Sequence, residues 1–167
     1  MECHMGATED AGSRRPARPG GTRLIVLESL NPAAAGAVAA ATWALLEPID
    51  RRAFRCDYSD VAVLGKAVTR GRLWWPAGFA IHTLNGALFG LAFDQARRRL
   101  PIRKRRLALG MALGEHVGLY PLSYLVDRYH PARGAGGIPP LLRNPRAFGQ
   151  ATVRHALFGL VLGRLSR

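Results

Sequence analysis

The stretch LWWPAGFAIHTLNGALFGLAF, residues 73–93, decides the architecture. It runs for 21 residues without an Asp, Glu, Lys or Arg, and a membrane-spanning helix needs about 20 mainly apolar residues. At its start Trp74 and Trp75 follow Arg70 and Arg72, the mixture of amphipathic rings and long cations that collects where a bilayer meets water.

A second long apolar stretch lies at 107–126 (LALGMALGEHVGLYPLSYLV). Between the two sit Arg97, Arg98, Arg99, Arg103, Lys104, Arg105 and Arg106. Two further stretches flank this pair. One covers about 32–49, is rich in alanine, and opens with Asn31-Pro32; the other covers about 144–165, opens with Asn144-Pro145, and carries Gln150, Arg154 and His155. Asparagine before proline is a helix start, since Asn caps and Pro suits the first helical position. The pattern predicts an all-α protein, a four-helix transmembrane bundle spanning 23–167, with helices at about 32–49, 73–93, 107–126 and 144–165. A soluble bundle is the competing reading, because the first and last stretches would also pass as buried core helices. Residues 1–22 are rich in Gly, Pro, Arg, Ser and Thr and poor in large apolar side chains, so a disordered basic tail is expected there.

Composition narrows the class. The 167 residues hold 24 Lys and Arg against 11 Asp and Glu, a net charge of +13, with 49% hydrophobic residues. That apolar content excludes a wholly disordered chain, and Cys3 and Cys56 alone cannot build a disulfide scaffold. A basic chain suggests nucleic acid, but no recognition motif or aromatic-laced basic stripe is present, and the expectation is no nucleic-acid partner. The charges cluster between apolar stretches instead. The chain before the first apolar stretch, the 94–106 loop and the C-terminus carry thirteen basic residues against nine in the two opposite loops. The dense middle loop then places both termini in the cytoplasm of a multi-pass protein of the cell membrane. In the first outer loop, Asp60 is expected to cap a short surface helix with Val61, Leu64 and Val68 on one face.

The second and fourth stretches share a spacing. His82, Gly86 and Gly90 recur as His155, Gly159 and Gly163, 73 positions later, and the same displacement carries Leu46 and Pro48 onto Leu119 and Pro121. This suggests two duplicated helix hairpins, 2+2, related by an axis along the membrane normal. Residues four apart share a helix face, so Gly86 and Gly90, Gly159 and Gly163, and Gly110, Gly114 and Gly118 predict close helix packing, as do Ala33, Ala37 and Ala41. Pro121 is expected to kink the third helix by freeing the Val117 carbonyl.

His82, Asn85, Glu115, His116, Arg154 and His155 fall near the middle of their stretches and predict an intramembrane polar cluster. Ionisable groups at that depth are costly and face a partner or a cavity. Three roles stay open at this point. In the first, Glu115 pairs with Arg154, and the bundle acts by association with itself or another membrane protein. In the second, His82 and His155 ligate a haem, or His116 and Glu115 complete a metal site with them. In the third, the cluster carries protons or ions, using Pro121 as a hinge. The sequence leans away from an enzyme: it has no nucleophile elbow, Walker loop or dinucleotide fingerprint. GAGG at 134–137 has no strand before it and reads as a loop, and Asp127-Arg128-Tyr129-His130-Pro131 reads as a helix end meeting water or a small interfacial site.

Overall fold

A computed structural model describes residues 30–134 and 137–167; the expected tail at 1–22 lies outside them. The described chain is all-helical. Helix α1 (Pro32–Phe54) starts at Asn31, whose side chain accepts from the Ala34 amide at 2.8 Å. It runs past its expected end at Ile49, tolerating Pro48 at the loss of one hydrogen bond, and closes on Arg55 in the left-handed region at φ 49°. Helix α2 (Asp60–Val68) is capped by Ser59, not by Asp60, which is its first residue. Helix α3 (Trp74–Arg99) extends two turns beyond Phe93; its last turn carries Arg97 and Arg98, which Asp94 bridges at 2.8 and 2.9 Å. Those two arginines hold the Asp94 carboxyl below its usual range. Helix α4 (Lys104–Leu119) stops at a 3-10 turn, Tyr120–Leu122, and the chain resumes as α5 (Ser123–Tyr129). Pro121 therefore sits in an interruption that shortens the third helix to 16 residues. Helix α6 (Pro145–Leu165) begins at Asn144, which accepts from the Arg146 and Ala147 amides.

The helices form two antiparallel pairs, α1 with α3 and α4 with α6, joined where α1 packs on α6; α3 and α4 scarcely touch. Small residues set the first pair. A Cβ on Gly36 would lie 2.0 Å from the Gly86 carbonyl oxygen, and one on Gly90 2.0 Å from that of Pro32. In the second pair a Cβ on Gly159 would lie 2.8 Å from the Leu109 Cα, and one on Gly163 3.1 Å from the Arg105 Cα. Two expectations about packing fail. Gly110, Gly114 and Gly118 meet nothing within 4 Å, because α4 turns Ala108, Ala112 and His116 inward instead. On α1 the buried face holds Ala35, Gly36, Ala39 and Ala40, not Ala33, Ala37 and Ala41.

Helix α2 is not a surface-lying amphipathic helix. It lies on α3 through Gly65 and Gly78, where a Cβ on Gly65 would stand 1.8 Å from the Trp74 carbonyl oxygen. Val61 is buried, and Val68 is left outside. Residues 130–134 and 137–144 fold back onto the same end of the bundle. Asp127 accepts from the Leu141 and Leu142 amides at 2.8 Å each, and His130 spans from the Val63 carbonyl to the Ala132 amide. The Asp127–Pro131 run is thus a loop clamp. By length and composition α1 alone among the described helices suffices to cross a membrane, at a mean hydropathy of 1.2. Of its neighbours, α4 is shortened by the break at Pro121, α3 carries Pro76, His82 and Asn85 within its apolar stretch, and α6 carries Gln150 and Arg154.

Candidate functional site

Arg154, midway along α6, is buried with its side chain 2% exposed. An isolated cation there would be very costly, and three carboxylates answer it. Asp50 grips the guanidinium through both oxygens, on Nε and on Nη2, the latter at 2.6 Å. Asp60 takes Nη1 at 2.7 Å and Glu47 takes it at 3.4 Å. The Tyr58 carbonyl accepts from Nη2 at 3.1 Å, and the guanidinium lies 5.2 Å from the Tyr58 ring centroid and 5.9 Å from that of Trp43. Gln150, one turn before Arg154, donates to Asp50 at 2.7 Å.

Local structure explains why these groups converge. Glu47 and Asp50 are three residues apart and share a face of α1. Glu47 receives the start of α2, accepting from the Ser59 hydroxyl at 2.5 Å and from the Asp60 amide at 2.9 Å, where backbone donors are free. Asp60 is thereby aimed at Arg154, and its other oxygen accepts from the Tyr58 hydroxyl. Burial raises the Asp60 carboxyl, but the Arg154 charge, then His82 and the Tyr58 hydrogen bond, outweigh it and hold the group below its usual range. Burial, with the Asp60 charge, pushes the Tyr58 phenol well up, so it stays a donor.

The expected Glu115–Arg154 pair is not made. Arg154 faces the acids of α1 and α2, and His155, one residue and about 100° further round the helix, packs between Trp43 of α1 and His116 of α4. Glu115 has no ion-pair partner among the described residues and lies on the exposed side of α4. Sequence reasoning missed Glu47, Asp50, Asp60, Tyr58 and Gln150. The signal was available: Glu47 and Asp50 lie three residues apart at the end of an apolar stretch in a chain with 11 acidic residues.

The remaining cluster residues come together. His82, Asn85, Glu115, His116 and His155 line a cavity of about 370 Å³ between α3 and α4, floored by α1 and α6, with Asp60 in one wall. Trp43 packs edge-on against His82 and His155, with centroids at 5.1 and 4.9 Å, and His116 stacks on His155 at 4.9 Å. Hydrogen bonds assign the tautomers. The His155 Nδ1 donates to the Ala151 carbonyl at 2.8 Å. Thr152 gives its hydroxyl proton to the Phe148 carbonyl, so at 2.9 Å it accepts from the His116 Nε2. The His155 Nε2 and the His116 Nδ1 are the ring nitrogens these two bonds leave over. The His82 Nε2 is buried and has no hydrogen-bond partner.

Among the described residues no three His, Cys, Asp or Glu side chains converge as a metal-ligand set. The Trp43 indole, touching both His82 and His155, takes up the gap a macrocycle would need. The geometry gives the haem and metal readings no support.

No family model matches the chain, and neither a curated protein nor a solved structure matches it.

Proposed function

We propose that this chain is a multi-pass integral membrane protein, four helices deep in the bilayer, that acts by association with a second copy or another membrane protein. The observation that carries the membrane reading is the inverted distribution of polarity. Arg154, Glu47 and Gln150 are 2%, 6% and 0% exposed, whereas Leu45 on α1, Leu84 and Leu88 on α3, Val117 on α4 and Leu160 on α6 are half-exposed or more. Large apolar side chains exposed along all four long helices are unfavourable in water and natural against lipid tails. Helices α1, α3 and α6, at 23, 26 and 21 residues, each rise about 30 Å or more, the thickness to be crossed. Residues Arg97 to Arg106 gather at one end, beside the C-terminal turn where Lys104 donates to the Ser166 carbonyl; this end belongs in the cytoplasm. If alkaline carbonate washes release the protein from isolated membranes, the reading fails.

Contacts support duplicated hairpins. Gly86 on Gly36 and Gly90 on Pro32 correspond, 73 positions on, to Gly159 on Leu109 and Gly163 on Arg105. The Trp43–His82 ring pair corresponds to His116–His155. A two-fold relation would make α1 on α6 equivalent to α4 on α3. The first of these seams is packed and the second is open. Association is assigned to α4, whose Gly110, Gly114 and Gly118 face open space at the spacing that lets helix backbones approach in lipid. In bilayers, Gly114→Leu is expected to lower the dimer fraction read by single-molecule photobleaching. A chain that is monomeric with or without the substitution removes the self-association half of the proposal, and unchanged co-purification of every membrane partner removes the rest.

A further inference from the structure

We propose that the cationic end of the bundle docks anionic phospholipids, whose headgroup phosphates pair with its unpartnered arginines. Nine cations gather there: Arg97 to Arg99 closing α3, Arg103 to Arg106 with Lys104 among them opening α4, and Arg164 and Arg167 in or just past the last turn of α6. Among the described residues one acid, Asp94, shares that end, and Arg97 and Arg98 take it up at 2.8 and 2.9 Å. Arg99, Arg103, Arg105, Arg106 and Arg164 are exposed, and their guanidiniums have no ion-pair partner among the described residues. Residues 1–29 hold four acids and four arginines, so they bring no net charge to neutralise the patch. Nor does the charge serve the helix it opens. A helix start favours acids, yet the first turn of α4 holds Lys104, Arg105 and Arg106 and no acid.

Position favours a lipid over a soluble polyanion. On α3, Leu84, Leu88 and Leu91 are half-exposed or more, and exposed Arg98 continues their face seven residues after Leu91. On α6, Val153 and Leu160 are half-exposed, and exposed Arg164 continues theirs. Helix rise carries Arg98 about 10 Å and Arg164 about 6 Å past the last leucine of each stripe. That is the depth of the headgroup layer, about 5–7 Å thick on each side of the hydrocarbon. Lipids packed beside these leucines bring their phosphates to the guanidiniums from the side, with the arginine stems along the acyl chains. Arginine then takes a phosphate through two parallel N–H groups. A soluble polyanion would reach only the helix ends and leave the apolar stripes unused. A zwitterionic lipid carries an ammonium beside its phosphate and neutralises none of the excess charge, whereas an anionic lipid does.

This inference rests on the membrane reading, not on association. Its test is electron spin resonance of the full chain in phosphatidylcholine bilayers, with spin-labelled phosphatidylglycerol or phosphatidylcholine as the probe, reading the share of probe immobilised against the protein. Phosphatidylglycerol is expected to be preferred by about fivefold, the effect of roughly one cation at an anionic headgroup, and the preference should shrink as added salt screens the charges. Arg99→Gln, Arg103→Gln, Arg106→Gln and Arg164→Gln combined are expected to bring it below about twofold, with the melting temperature in detergent unchanged, since these side chains pair with no acid among the described residues. Arg52→Gln with Arg55→Gln, at the opposite end, should keep most of it. Equal association of the two probes with the parent, a preference that salt leaves untouched, or an equal loss in the opposite-end variant overturns the proposal. So does a labelled DNA duplex that binds the parent saturably in pure phosphatidylcholine and loses that binding in the fourfold variant, which assigns the patch to nucleic acid. Release by alkaline carbonate removes the membrane reading and this inference together, whereas a chain that stays embedded without a lipid preference removes this inference alone.

Discussion

Replacing Arg154 by methionine keeps an unbranched apolar stem and removes the guanidinium, the one charge that Glu47, Asp50 and Asp60 share. Asp50 loses contacts on both oxygens and Asp60 one at 2.7 Å, and three carboxylates are left close together in a buried site. Breaking a single buried pair by deleting one partner costs about 3–5 kcal/mol. Here that figure is a floor, because each orphaned acid must either stay charged without its partner or take up a proton. Protonating a carboxylate of ordinary pKa at pH 7 costs about 4 kcal/mol. Glu47→Gln should be milder, about 1–2 kcal/mol, since Glu47 touches Arg154 at 3.4 Å and keeps partners in Ser59 and the α2 amides. The assay is unfolding of the detergent-solubilised protein by stepwise addition of dodecyl sulfate, followed by helix content. A double-mutant cycle of Arg154→Met with Asp50→Asn should give a coupling of about 1–3 kcal/mol, and one with Glu115→Gln should be additive within about 0.5 kcal/mol. A loss below about 1 kcal/mol in Arg154→Met, or coupling to Glu115 as large as that to Asp50, would refute the assignment of partners.

Other substitutions probe separate features. Gly86→Ala places a Cβ 2.5 Å from that of Ala40 and 2.6 Å from the Gly36 oxygen, so α1 and α3 must separate; a loss of about 2 kcal/mol or more is expected in the same unfolding assay. Gly114→Ala, with nothing within 4 Å, should leave the bundle's stability within about 1 kcal/mol of the parent. Asp127→Ala leaves the Leu141 and Leu142 amides unpaired, and faster hydrogen exchange across 137–144 is the expected result. For pH, the folded Asp60 carboxyl lies below its ordinary value of 3.8, so its contribution is present above that value and is lost as pH falls through the lower folded one. Melting temperature followed from pH 6 to pH 3 should fall less steeply in Asp60→Asn than in the parent; identical profiles would count against the Arg154–Asp60 contact.

The long helices were legible because Asn31-Pro32 and Asn144-Pro145 announce their starts and the apolar stretches are long. The helix ends were not, since Pro48 is tolerated in α1 while Pro121 ends α4, and a proline's own sequence does not reveal which outcome its neighbours permit. His82, His116 and His155 were foreseen as one cluster from depth alone, a one-dimensional property that helix rise supplies. Arg154 was assigned the wrong partner because rotation about α6 decides the matter. A turn of about 100° separates the side that meets Glu47, Asp50 and Asp60 from the side that meets His116, and depth carries no information about it. The Ser59 cap and the Asp60 contact depend on how α2 docks through Gly65 and Gly78, which is tertiary geometry.

Glu47, Asp50 and Asp60 all lie in the first part of the chain, and the cation they share arrives 104 residues after Asp50. During synthesis the leading hairpin must therefore wait, carrying acids that stay hydrated or protonated until α6 is delivered. Neither half is a self-sufficient unit, whatever their common pattern. A gene cut within the 94–106 loop should yield a leading fragment that is degraded alone and rescued by the trailing one supplied in trans.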